Sequence, residues 1–221
     1  MLKSCKQTEQ RLLILEQKFF VLLKNLNKYN FIQNISNSSS TLFVGEGNFS
    51  FSHSIAKQIQ SRNNIIVSTN EFYSEITDLA KENVLKLKKL DIQTLFQLDA
   101  TKLHKIFNNT KFEIIIFQFP NVASRESING YNPNYILVKD FLISASKILT
   151  KNGTIIITIV DSEYYNNIFK FEKLSKILCL PKPKKYNFNL KDYPDYEHTM
   201  SHQDASILDN YNKFTTYEFT L

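Results

Sequence analysis

The chain predicts an α/β fold, a mostly parallel sheet with helices on both faces, preceded by an extra amphipathic helix. Three observations lead there. Short apolar runs alternate with helix-period patterns between Thr41 and Val160. Several of those runs are apolar throughout, as strands buried on both faces must be. The chain has only 4 glycines in 221 residues, and two of them, Gly45 and Gly47, close the first apolar run.

The elements follow in order. Leu12, Leu15, Phe19, Leu22, Leu23 and Leu26 recur at helical spacing, predicting an amphipathic helix that packs on the main domain. The polar stretch from Asn34 to Ser40 competes with regular structure and reads as a linker. Residues 1–36 are thus expected to be a helix and linker, and 37–221 one domain. Thr41–Val44 is the first strand, Phe51–Gln60 a helix and Ile65–Ser68 the second strand. Ser74–Leu90 carries a helical stripe through Ile76, Leu79, Ala80, Val84, Leu87 and Leu90. A short strand, Thr94–Phe96, precedes Asp99, and Glu113–Phe117 is an apolar strand that stops before Pro120. Asn132 and Pro133 supply a capping residue and a first-turn proline for a helix running to about Leu149. Asn152-Gly153 is read as the turn into the strand Thr154–Val160.

Composition excludes several classes. Two cysteines, Cys5 and Cys179, provide neither a disulfide framework nor a four-thiolate zinc site, so no metal is expected. The first ten residues are polar where a signal peptide turns apolar, and Glu16, Lys18 and Lys24 interrupt the run from Leu12 to Leu26. Neither export nor membrane spanning is expected; the cytoplasm, or the nucleolus in a eukaryote, is. The net charge of +6 is compatible with an anionic partner such as RNA. The lysines around Lys182-Pro-Lys-Lys185 are the basic cluster suited to phosphates, with a solvated loop as the plain alternative.

Ligands of doubly wound sheets bind beyond the carboxyl ends of the strands, so the residues following each strand are the candidates. The first strand leads into Gly45-Glu-Gly-Asn-Phe-Ser50. Two close glycines bring backbone near a ligand, yet Ser50 stands where the third glycine of a dinucleotide fingerprint belongs. Glu46 would repel a pyrophosphate and suits a cationic group, which favours S-adenosyl-L-methionine, a sulfonium with an α-amino group. Glu71 follows the second strand, where an acid binds ribose hydroxyls. Asp99 follows the third, where a carboxylate accepts from an adenine amino group. Each acid alone reads as a helix cap or surface charge; their succession after three strands points to a cofactor.

The runs Leu42-Phe-Val-Gly-Glu-Gly-Asn-Phe-Ser-Phe-Ser52, Leu98-Asp-Ala-Thr-Lys-Leu103 and Ile115-Ile-Phe-Gln-Phe-Pro-Asn-Val122 resemble the eukaryotic 25S rRNA (uridine-N3)-methyltransferase family. The likeness continues through Phe141 to Gly153 and ends with Asp192-Tyr-Pro-Asp-Tyr-Glu-His198. It implies a Rossmann-like class I methyltransferase fold with a seven-stranded sheet, S-adenosyl-L-methionine as cofactor and methylation of a uridine N3 in ribosomal RNA. It implies a cofactor set of Gly45, Glu46, Gly47, Asn48, Phe49, Ser50, Glu71, Asp99 and the adjacent Ala100. The acceptor and catalytic set is Gln118, Phe119, Pro120, Asn121, Asp161 and His198. In it the amides of Gln118 and Asn121 hold the base edge, Phe119 or Phe49 stacks on its face, and Asp161 or His198 accepts the N3 proton. The family usually has Asp at 48, Asn at 118 and His at 121, so two of the departures fall where the target base would lie. A small-molecule methyltransferase or aminopropyltransferase-like enzyme, and a non-catalytic module of the same fold, are the competing readings.

Overall fold

The computed structural model describes residues 10–19, 27–60, 62, 64–122, 124, 126–199 and 210–221. Its centre is a seven-stranded sheet in the order β3-β2-β1-β4-β5-β7-β6. The strands are β1 Thr41–Val44, β2 Ile65–Ser68, β3 Gln93–Leu95, β4 Phe112–Gln118, β5 Leu149–Val160, β6 Lys184–Phe188 and β7 Phe214–Thr220. β1 to β5 pair in parallel, whereas β7 runs antiparallel to both β5 and β6. Strand order reverses between β1 and β4, which places a crevice at their carboxyl ends.

β1 lies in the interior of the sheet, and all four of its residues are buried. β5 continues the core with Ile155, Ile156, Ile157, Ile159 and Val160, whose branched side chains suit a pleated, covered surface. The expected turn at Asn152-Gly153 proves to be an irregularity inside β5. Pairing with β4 shifts register between Phe112 and Ile114, and Asn152 takes a left-handed φ of 65°.

The helices are α1 over residues 10–19, α2 Phe31–Ser36, α3 Ser50–Gln58, α4 Asp78–Lys89, α5 Leu103–Ile106, α6 Pro133–Ser146, α7 Glu163–Phe169 and α8 Phe171–Ile177. Capping explains several boundaries. Thr77 accepts from the Ala80 N–H at the start of α4, whose last turn carries Lys86, Lys88 and Lys89. Asn132 accepts from the Asn134 N–H, and Pro133 opens α6 as its sequence predicts.

The N-terminal region differs from expectation. Residues 10–19 are helical, but Leu12, Leu15 and Phe19 are exposed rather than packed on the domain; Leu22, Leu23 and Leu26 lie outside the described residues. The stretch read as a linker is partly α2, whose Phe31 and Ile35 are buried in the core of the sheet domain. Asn30 caps α2 by accepting from the Gln33 N–H at 3.0 Å. Among the described residues no helix is long and apolar enough to cross a membrane, and no three His, Cys, Asp or Glu side chains cluster as metal ligands.

A glycine-poor chain needs other residues at left-handed positions. Among the described residues nine non-glycine positions have positive φ, and Asn64, Asp91, Asn129 and Asn152 are the residue types that tolerate it. Gly45 is retained for two reasons. Its φ is +66°, and a Cβ there would lie 2.4 Å from Cε2 of Phe117, a ring held at 5.0 Å from Phe141. Gly45→Ala is therefore expected to cost about 3 kcal/mol, combining left-handed strain with overpacking. Chemical denaturation checks this, and an unchanged midpoint would contradict it.

Candidate functional site

The first site loop leaves β1 at Gly45 and returns at α3. The Glu46 N–H donates to the Ser68 carbonyl of β2 at 2.9 Å, fixing the turn. Phe49 stands at the N-cap of α3 in a left-handed conformation and supplies no side-chain cap. Two loop side chains do that work instead. Asn48 Oδ1 accepts from the Ser50 N–H at 3.1 Å, and Glu46 Oε2 accepts from the Ser52 N–H at 3.1 Å.

A cavity of about 410 Å³ opens at the carboxyl ends of the strands. Gly45, Glu46, Gly47 and Asn48 line it from the first loop, Glu71 from the segment after β2, and Asp99 and Ala100 from the segment after β3. Gln118, Phe119, Pro120 and Asn121 line it after β4, and Tyr196 and His198 enter from the far end of the chain. Three predicted residues stand elsewhere. Phe49 is fully buried with its ring 6.1 Å from Phe96, and Ser50 is buried beneath the loop. Asp161 lines a separate groove of about 650 Å³ and accepts from Asn166 Nδ2 at 2.9 Å.

Ser50 has a structural task. Its Oγ accepts from the Glu197 N–H at 3.1 Å and lies 2.7 Å from Asn48 Oδ1 and 2.9 Å from the Glu197 carbonyl, with one proton to share. Asn48 Nδ2 donates to the same carbonyl at 2.8 Å. An aspartate at position 48 has no N–H to make that bond. Lys57 and Asp195 add a surface ion pair at 2.8 Å. This clasp fastens the segment bearing Tyr196 and His198 to the first loop.

Burial dominates the electrostatics of Glu46, raising its pKa to about 7 despite the hydrogen bonds from Ser52. Burial and then the Glu46 charge push the Tyr196 hydroxyl well above its ordinary range. Burial also pulls Asp99 upward, but hydrogen bonds from Lys102 and Thr101 outweigh it and hold this carboxyl low. Asp99 Oδ1 caps the Thr101 N–H at 2.8 Å while Oδ2 meets Lys102 Nζ at 2.7 Å. Asp99 is thus a helix cap as well as part of the cavity wall.

Gln118 is 8% exposed, and neither its amide oxygen nor its amide nitrogen has a partner among the described residues. Leaving both atoms buried and unpaired is costly, so a ligand that meets them binds with that cost relieved. Phe119 follows with a left-handed φ of 49°, held by its N–H bond to the Thr158 carbonyl at 2.8 Å. Its ring meets His198, Phe214 and Phe188 edge-on at 5.3, 5.6 and 5.8 Å. Those contacts seat the imidazole at the cavity wall.

The lysine cluster is more occupied than its sequence suggests. Lys182 and Lys185 pair with Glu172 at 3.5 and 3.0 Å, and Lys184 pairs with Glu218 at 3.0 Å. Thr69, Asn70, Leu137 and Tyr165 also line the cavity and were not foreseen. Tyr196 carries a readable signal, since it lies inside the 192–198 run that resembles the methyltransferase family.

The Glu46 pKa of about 7 lies above its ordinary 4.5, so the folded state holds this proton more tightly than the unfolded chain. Stability is expected to fall by about 3 kcal/mol as pH rises from about 4.5 through about 7. Glu46→Gln should remove that slope in urea unfolding; parallel profiles for the two proteins would contradict the assignment.

Comparison with known proteins gives this site a family. The model described as rRNA (uridine-N3-)-methyltransferase, BMT5-like, matches residues 42–200. Heavy metal-associated isoprenylated plant protein 41 of Arabidopsis thaliana is 30% identical over 174 residues, covering 75% of this chain and 34% of that protein. The chain thus spans about a third of that relative's length. The 25S rRNA (uridine(2634)-N(3))-methyltransferase of Saccharomyces cerevisiae is 28% identical, covering 75% of this chain and 67% of its own. The structure of a 30S ribosomal A1408 methyltransferase from an uncultured bacterium superposes with a TM-score of 0.52 at 16% identity, over 87% of this chain and 94% of that one. That likeness establishes the Rossmann-like methyltransferase fold. With a family model covering residues 42–200, this chain belongs to the BMT5-like rRNA (uridine-N3-)-methyltransferases.

Proposed function

We propose that this chain transfers the methyl group of S-adenosylmethionine to N3 of a uridine in ribosomal RNA. The observation that carries the reading is the buried amide of Gln118, without a partner among the described residues, in the same cavity as Glu46 and His198. A uracil edge presents carbonyl acceptors on either side of N3, and the amide N–H of Gln118 can donate to one of them while N3 stays open to the donor.

The residues present fit the cofactor. Gly45 and Gly47 bring side-chain-free backbone to the cavity wall, and Glu46 is a buried carboxylate held at the point where a cation relieves its desolvation. Glu71 and Asp99 lie on the same wall and suit the hydroxyls and amino group of an adenosine. When bound, S-adenosylmethionine supplies an electrophilic methyl group on a sulfonium.

The chain's own side chains then orient and deprotonate the acceptor. Gln118 and Asn121 would hold the base edge with N3 turned toward the cofactor wall, and Phe119 would cover the ring. His198 would accept the proton that N3 gives up. Of the two candidate proton acceptors, His198 lines this cavity and Asp161 lines the other groove. A base inside a helix must be turned out of its stack to enter such a cavity.

Labelled-methyl transfer into total RNA, followed by nucleoside mass spectrometry, is expected to yield labelled 3-methyluridine. Gln118→Leu should lower acceptor kcat/KM by about tenfold or more while leaving cofactor affinity intact, since it removes contacts made only to the base. Label appearing solely in small molecules, or in a different nucleoside, would contradict the proposal.

A further inference from the structure

One surface outside the cavity is built with more care than a connection requires. Between β4 and α6 the chain makes a miniature hairpin. The Ile128 N–H donates to the Tyr131 carbonyl at 2.9 Å, and the Tyr131 N–H donates to the Ile128 carbonyl at 3.0 Å. The two central residues, Asn129 and Gly130, have φ of 51° and 80°, the signature of a type I′ turn. Gly130 has open space on its Cβ side, so backbone conformation rather than packing calls for a glycine.

This rigid knuckle presents apolar groups to water. Ile128 is 51% and Tyr131 58% exposed, where a mere connector would be polar. The Tyr131 ring stacks nearly parallel on Tyr135, at 16° and 5.7 Å, and Tyr135 in turn packs against the core. The stack braces Tyr131 at small entropic cost while leaving most of the residue in solvent.

The knuckle is joined to the acceptor wall. The Val122 N–H donates to Asn134 Oδ1 at 2.6 Å, drawing the segment that follows Gln118 against the first turn of α6. Leu137, one turn further along α6, lines the cavity. A second exposed ring, Tyr164, stands at the start of α7 and packs edge-on, at 5.1 Å, on Tyr165 of the cavity wall. Both rings lie at the carboxyl edge of the sheet, on the side of β4 and β5.

We infer that Tyr131, braced by Tyr135, is a stacking platform for the unpaired nucleotide that flanks the target base. This rests on the proposed RNA acceptor. A planar aromatic surface braced on the helix whose Leu137 lines the cavity suits a single strand, because every base offers a π face and stacking needs no sequence match. The net charge of +6 favours such a polyanion over an acidic or neutral partner.

The chain has 11 tyrosines and no tryptophan, so Tyr131→Trp introduces a unique fluorophore at the platform. Titration with a short oligouridylate is expected to quench that tryptophan. Tyr131→Ala should bind the same strand about tenfold more weakly and raise the RNA KM to match, with cofactor affinity and thermal midpoint unchanged. An unquenched tryptophan, or an oligouridylate affinity unaltered by Tyr131→Ala, overturns the inference. If the wild-type chain places no methyl on RNA, the acceptor reading fails separately, and the quenching still reports on the platform.

Discussion

The clasp between the first loop and the late segment is the constraint on which the site depends. Asn48 and Ser50 reach Glu197 across 149 and 147 positions of sequence. Closing so long a loop for three polar contacts would be unfavourable in isolation. The sheet holds the two ends near each other, because β5, β7 and β6 place the C-terminal half beside the parallel strands. Once there, the clasp converts a cleft at a strand switch point into a cavity walled on both sides. Tyr196 and His198 face the cavity because Glu197 between them is tied down through its backbone.

The two sides of the cavity are unsatisfied in complementary ways. Glu46 is a carboxylate with too little solvent, and its raised pKa measures the penalty. Gln118 is an amide with neither donor nor acceptor met among the described residues. A positively charged ligand relieves the first, and a ligand that hydrogen-bonds the amide relieves the second. Left-handed Phe49 and Phe119 sit just behind these groups, each a bulky residue in a conformation that costs energy unless its surroundings enforce it. The first stands at the N-cap of α3, and the second lies in the turn between Gln118 and Pro120.

Much of this was legible in the amino-acid order. Apolar runs located β1, β2 and β4 within a residue or so, and Asn132-Pro133 marked the start of α6. Following each strand to its next residues found Glu46, Glu71, Asp99 and Gln118, because a parallel sheet presents its strand ends on one edge. β6 was obscured by Lys184 and Lys185, charges that resemble a loop but are well placed on an edge strand. Phe49 and Ser50 lie outside the cavity lining because neighbours in a tight turn point in different directions, a matter of φ rather than residue type. Asp161 follows β5 as the others follow their strands, yet its side chain accepts from the Asn166 amide and lines the other groove. The exposed face of α1 illustrates the limit of periodicity, which predicts a helix and not what covers it.

The direct measurement of this account is amide hydrogen exchange at Glu197 in Ser50→Ala, read alongside methyl transfer. Without the hydroxyl, the Glu197 N–H loses its acceptor. Its protection should fall by about tenfold, as expected for one lost hydrogen bond, while amides of β1 and β4 keep theirs. Turnover should fall with it, because the segment carrying Tyr196 and His198 is released from the first loop. Unchanged exchange at Glu197, or loosened exchange with full turnover, would contradict the claim that the clasp assembles the site.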